Sequence, residues 1–277
     1  MADPSRIIWM EGPIGTELMR RGIDPSGCLP LLNLTQPELI ADIHRSYAEA
    51  GAEIFLTHSF TLNPPFLARH GLASDGRAIG QAAVALAQRH GTTWASIGPM
   101  ASIDFPNLND LQQTIEWLGD ADGVLLETLS DATAFAAAEA IRRERPDWPI
   151  VLSFALRGCP GAAPRMQMLD WREIADRAND FDLASLGLNC GLEITPTDMS
   201  QCIKRFRHRS SFPLMARPNA GTPQQQGEKW IWPRTPEDFA AATPQLIEAG
   251  ATYLGGCCGS TPEHLRAMRS SAEASGA

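Results

Sequence analysis

Three of the six cysteines stand where thiols can do chemistry together. Cys190 closes the run Gly187-Leu188-Asn189-Cys190, and Cys257-Cys258 lie between Gly255-Gly256 and Gly259. Three thiolates fill three corners of a tetrahedron around Zn2+ and leave the fourth for an exchangeable ligand, the pattern of a catalytic rather than a structural zinc. Adjacent cysteines share a metal only where the backbone turns sharply, and the flanking glycines permit that turn. Ser260-Thr261-Pro262-Glu263 then has the composition of a helix start, whose dipole favours thiolate over thiol. Other readings of the same residues are an inert core thiol at Cys190 and a redox disulfide, or small packing residues, at Cys257-Cys258. Cys28, Cys159 and Cys202 lack such context. Cys202 falls in a helical pattern and reads as core, and Cys159 falls in a Gly/Pro loop and reads as an exposed thiol.

Two carboxylates stand in equally unusual places. Glu127 closes the apolar run Gly123-Val124-Leu125-Leu126-Glu127, and Glu11 follows Ile7-Ile8-Trp9-Met10. A carboxylate there is costly unless something pairs with it. A substrate ammonium group would serve for either, and so would a neighbouring arginine. His58, in Thr57-His58-Ser59, could serve as a ligand or as a hydrogen-bonding residue, and reads first as a satisfied rim histidine. The other five histidines show no metal-ligand spacing.

The elements that must position these groups repeat one pattern: an apolar run, a Gly/Pro-rich or polar loop, then a helix. The runs are residues 6–10, 53–57, 94–97, 123–127, 150–154, 183–188, 213–216 and 252–254. Most are nearly continuous in apolar character, as expected of parallel strands buried on both faces. Residues 37–50, 131–143 and 239–249 have helical patterning, the last opened by Thr235-Pro236-Glu237-Asp238. Eight such units predict a (β/α)8 TIM barrel forming one domain over residues 1–277, with a Ser/Ala-rich tail fraying from about residue 270. An open doubly wound sheet is the alternative. It is weakened because Glu11-Gly12-Pro13-Ile14-Gly15-Thr16 lacks the Gly-x-Gly-x-x-Gly turn of a dinucleotide site. In a barrel the strands' carboxyl ends would gather Glu11, Thr57, Glu127, Cys190, Asn219 and Cys257-Cys258 on one rim.

Composition narrows the partners. Net charge is −9 over 277 residues, which argues against nucleic acid, since phosphate binding needs a basic face. No stretch is long and apolar enough for a bilayer, and no signal-peptide pattern opens the chain. The expectation is a cytoplasmic protein with reduced thiols and no membrane partner.

Four stretches together resemble the homocysteine S-methyltransferase family: Glu11-Gly12-Pro13-Ile14-Gly15-Thr16-Glu17-Leu18, Gly187-Leu188-Asn189-Cys190, Pro218-Asn219-Ala220-Gly221 and the run from Gly255-Gly256-Cys257-Cys258-Gly259 to His264. That family includes the homocysteine-binding module of cobalamin-dependent methionine synthase, betaine–homocysteine methyltransferase and S-methylmethionine-dependent enzymes. The resemblance implies zinc on Cys190, Cys257 and Cys258 and methyl transfer to homocysteine, giving methionine. It also implies that Glu127 and the acid at position 11 hold the amino-acid end of homocysteine, and that Asn219 lends an oxygen to zinc when substrate is absent. Thr57 joins the expected substrate-binding set.

Two departures stand out. Glu11 replaces the family's usual Asp, and Thr57-His58-Ser59-Phe60 gives His58 no family role to inherit. The length leaves no room for a cobalamin or folate module. The expected donor is therefore a separate methyl-corrinoid protein or a small sulfonium or ammonium compound. The segment 217–234 carries Trp230 and Trp232, which would face a methylated cation, receive a carrier protein or simply anchor the loop. Rival readings are a methyltransferase for another small thiol or selenol, and a non-catalytic zinc or redox-sensing barrel.

Overall fold

The computed structural model describes residues 6–99, 108–130, 133–159, 162–166, 170–227 and 229–276. Eight parallel strands form the central barrel: β1 (Ile8–Trp9), β2 (Ile54–Leu56), β3 (Thr92–Ile97), β4 (Gly123–Leu129), β5 (Ile150–Cys159), β6 (Ser185–Leu192), β7 (Leu214–Arg217) and β8 (Ala251–Leu254). Their spatial order is their chain order, with β8 returning to β1. A parallel bridge from Met10 to Ile54 joins β1 to β2. Two bonds extend that seam, from Glu53 N to Trp9 O at 2.8 Å and from Glu11 N to Ile54 O at 2.9 Å. The (β/α)8 expectation is met.

Alternation along the strands sorts side chains into two layers, because successive residues face opposite sides. Leu125 points into the barrel with Met10, Leu56, Trp94, Val151 and Met215. Its neighbours Val124 and Leu126 point outward into the larger core between strands and helices. This double burial is why the runs read as continuously apolar. Helix starts follow the expected chemistry. Thr235 accepts from Asp238 N ahead of the helix Pro236–Glu248, and Thr261 precedes the helix Pro262–Ala274.

Several boundaries differ from the sequence expectation. β5 continues past residue 154 to Cys159 and turns back as an antiparallel strand, Ala162–Met166. β6 extends through Leu192, so Asn189 and Cys190 lie within a strand rather than after it. The extra length of β6 is held by pairing with β5, Leu156 to Gly191 and Arg157 to Leu192. That long-range partner leaves no local signal. The tail expected to fray from about residue 270 is instead helical through Ala274. Ala272 is buried, and Ser271 Oγ donates to Ala240 O at 2.7 Å. Small residues there serve close packing against the preceding helix. The helix expected over 131–143 is described as Thr133–Glu144; Asp131 lies outside the described residues. The Cys159 side chain, read as an exposed thiol, also lies outside them. Among the described residues no helix is long and apolar enough to cross a membrane.

Candidate active site

Cys190, Cys257 and Cys258 meet at the carboxyl rim, their sulfurs all within 4.8 Å of one another. The backbone is bent to achieve this. Cys190 adopts φ 58° and Thr128 φ 64°, conformations rare for non-glycine residues and costly for a β-branched one. Asn189 holds Thr128 in place and ties it to the cysteine turn. Its Oδ1 accepts from Thr128 N at 2.9 Å and Ser153 Oγ at 2.6 Å. Its Nδ2 donates to Thr128 Oγ1 at 2.9 Å and towards Cys257 Sγ at 3.6 Å. The vicinal pair is pinned from the β7 side, Cys257 N to Pro218 O at 2.8 Å and Ala220 N to Cys258 O at 2.9 Å. Gly259, at φ 79°, lies so close to the Trp232 ring that a Cβ there would be 2.0 Å from it. Glycine is therefore required at the turn for both conformation and space.

The thiols are electrostatically unequal. Bonds from Cys257 and Cys258, with a smaller one from Asn219, pull Cys190 far below the ordinary thiol range. The same sharing with Cys190 pushes Cys257 and Cys258 up. Asn219 Nδ2 donates to Gly191 O at 3.0 Å and towards Cys190 Sγ at 3.6 Å. Its Oδ1 is buried and has no partner among the described residues. An orphaned buried oxygen is costly, and here it accompanies three convergent sulfurs. Three soft donors and a spare amide oxygen fit a thiophilic metal ion.

The two carboxylates have different surroundings. Glu127 Oε2 accepts from Arg217 Nη1 at 2.6 Å, and Oε1 from Ser96 Oγ at 2.6 Å. Burial raises the Glu127 carboxyl, while Arg217 works in the opposite direction. Burial opposes the Arg217 charge, but Glu127 and Cys257 leave it held more firmly than an ordinary guanidinium. Glu11 is fully buried. It meets His44 Nδ1 at 2.8 Å and accepts from Leu56 N at 2.7 Å. Thr57 Oγ1 is 2.5 Å from Ser59 Oγ and accepts from Ser96 N at 3.0 Å, tying β2 to β3.

A cavity of about 310 Å³ opens onto this cluster. By chemistry its lining divides into a polar wall that includes Cys190, Cys257, Cys258, Glu127, Arg217 and Ser96 and an apolar wall that includes Pro13, Ile14, Met19, Leu29, Pro30 and Phe60. Thr57 and His58 also reach it, whereas Glu11 and Asn219 are not among its lining residues. His58 Nδ1 is buried without a partner among the described residues, so the satisfaction expected of a rim histidine is missing at that atom. Burial, with His44 nearby, holds its imidazole down to about 3. Neither tryptophan of 217–234 lines the cavity. Trp232 packs beneath the cysteine turn, while Trp230 and Ile231 are exposed on a hairpin of Gln224–Gln226 and Lys229–Ile231.

Sequence reasoning passed over Arg217, Ser96 and the bracing role of Asn189. Arg217 had one available signal, a charged residue ending the apolar run Leu214-Met215-Ala216. Ser96 had none, since a serine inside a strand is ordinary.

Fold and site together define an α/β barrel with a three-thiol centre on its carboxyl rim. A family model described as homocysteine S-methyltransferase matches residues 8–272, and the chain belongs to that family. Methionine synthase of Mycobacterium tuberculosis is 27% identical, over 94% of this chain and 24% of that protein, so the chain spans about a quarter of its length. Homocysteine S-methyltransferase YbgG of Bacillus subtilis is 25% identical over 95% of this chain and 94% of its own. The metallated form of the Escherichia coli homocysteine methyltransferase MmuM superposes with a TM-score of 0.78 at 22% identity, covering 97% of this chain and 99% of that one. At that identity the likeness establishes the fold.

Proposed function

We propose that this chain transfers a methyl group to the thiol of homocysteine, using a zinc ion held by Cys190, Cys257 and Cys258. The observation that carries the reading is the convergence of three sulfurs within 4.8 Å on a cavity, in a member of this family. A free alkyl thiol has a pKa of roughly 8.5 and is mostly protonated at neutral pH. When bound, zinc supplies the deprotonation of that thiol and keeps its sulfur electron-rich without a general base.

The residues of the chain do the rest. Cys190, Cys257 and Cys258 supply negative charge and fix the site where the acceptor sulfur sits. Asn219, with its orphaned buried Oδ1, would be a further oxygen donor to a metal held by the three thiols. Glu127, on the same wall, takes the substrate ammonium. Pro13, Ile14, Met19, Leu29 and Phe60 give the transfer path apolar surroundings. The sulfur–methyl bond forms as the donor–methyl bond breaks, and the bonding pair leaves with the donor. Such a displacement needs sulfur and methyl carbon held about 3–3.5 Å apart.

The exposed Trp230 and Ile231 favour a methyl-corrinoid protein as the first donor to test, ahead of a small sulfonium or ammonium compound. The decisive experiment supplies homocysteine with each donor class and measures methionine. Methionine from the corrinoid protein supports the carrier reading. Rapid methionine formation from S-methylmethionine without corrinoid replaces it with the small-onium reading. No methionine with any donor, alongside full zinc occupancy, refutes homocysteine as the acceptor.

A further inference from the structure

Arg217 ends β7 with 2% of its side chain exposed, yet it lines the cavity. A guanidinium carries five N–H donors in a fixed fork. Arg217 directs Nη1 to Glu127 Oε2 at 2.6 Å, Nη2 to the Glu11 carbonyl at 3.3 Å and Nε to the Gly256 carbonyl at 3.2 Å. Among the described residues its other two N–H groups have no acceptor. Glu127 is likewise only partly used, each carboxylate oxygen accepting one bond. Beside the three sulfurs, then, lies an ion pair with no net charge and spare bonding capacity on both members.

Such a pair selects by charge. A lone ammonium group would meet Glu127 but be repelled by Arg217. A lone carboxylate would meet the reverse. A zwitterion satisfies both at once and adds no net charge to a buried site. In an α-amino-acid thiol the ammonium and carboxylate sit on one carbon, as close together as the two partners that would receive them. Glu11 is unsuited to this task. Its carboxylate is fully buried and engaged by His44 and Leu56 N, so its contribution runs through the backbone carbonyl that supports Arg217.

We propose that Arg217 is a specificity-determining residue that binds the α-carboxylate of the acceptor while Glu127 binds its ammonium, so that the β4–β7 pair recognises a zwitterionic amino-acid thiol. This rests on homocysteine being the acceptor and assigns the residue that distinguishes it from simpler thiols.

The test uses the full zinc-loaded chain and three thiols: homocysteine, 3-aminopropane-1-thiol, which lacks the carboxylate, and 4-mercaptobutanoate, which lacks the ammonium. Dissociation constants are measured by calorimetry, and kcat/KM is measured where transfer occurs. The unaltered protein is expected to prefer homocysteine to each analogue by about tenfold or more, as for loss of a charge-assisted contact. In Arg217→Met the preference over 3-aminopropane-1-thiol should collapse towards unity, because the aminothiol no longer faces a positive charge. Arg217→Lys should keep part of the preference.

A merely structural role would weaken all three thiols alike and leave the ratios unchanged, which overturns the proposal. Equal binding of homocysteine and 3-aminopropane-1-thiol by the unaltered protein overturns it without any variant, should Arg217→Met fail to fold. If homocysteine binds but is not methylated, the functional reading fails, and the binding ratios still decide the role of Arg217.

Discussion

The two walls of the cavity are built on different principles. The wall of Glu127, Arg217, Ser96 and the cysteines consists of strand ends locked to one another by hydrogen bonds. The apolar wall of Pro13, Ile14, Met19, Leu29 and Phe60 is carried by short helices and loops and includes the half-exposed Phe60. A polar network in a low-dielectric site fixes charge and geometry but tolerates no missing member. An apolar surface offers area and shape and tolerates exchange. On the proposed function, this contrast gives acceptor recognition to the polar wall and donor approach to the apolar one.

The harshest break falls on the polar wall. Cys190→Ala should lose the metal and bring turnover below detection while the barrel stays folded. Metal analysis and circular dichroism check this, and normal zinc content with normal activity would exclude the three-thiol centre. Next comes the ion pair. Glu127→Gln strands a buried guanidinium and should cost about 3–5 kcal/mol of stability, read from denaturant unfolding. Adding Arg217→Met should recover much of that stability without restoring homocysteine binding. A Glu127→Gln protein as stable as the parent would mean that the pair is already solvated.

On the apolar wall the effects should be smaller and of another kind. Phe60→Ala should raise the KM for the donor severalfold, since truncating a half-exposed aromatic forfeits roughly 1 kcal/mol of apolar contact. The homocysteine KM should stay unchanged; a matching rise would erase the division between the walls.

The smallest effect concerns His58, which also reaches the cavity. Its imidazole is held to about 3 against an ordinary value of 6.5. As pH falls, the unfolded chain therefore takes up that proton first, and stability declines through the window between those values. His58→Gln should flatten the acid side of the stability curve by up to one proton. An unaltered slope would show that His58 already charges in the folded protein.

Much of this was legible along the chain, and for identifiable reasons. Strands buried on both faces leave continuous apolar runs, so the eight units could be counted. The glycines around Cys257-Cys258 announce a turn that other residues resist. Glu127 was noticeable because a carboxylate closing an apolar run demands a partner. The partner itself was not legible: Arg217 lies 90 residues away, and distance along the chain carries no information about pairing. The same holds for Ser96, and for the backbone of Thr128, which is bent against its own preference by an asparagine 61 residues on.

The sequence alone determined which elements form, that three thiols reach one rim, and where the backbone must turn, because apolar periodicity, caps and glycine placement are local properties. Only the tertiary structure decided what the charges do. Closure of the barrel from β8 to β1 and β2 turns Glu11 onto His44 and away from the cavity lining. It also sets Arg217 of β7 against Glu127 of β4, across a barrel interior where either charge would be too costly to bury alone.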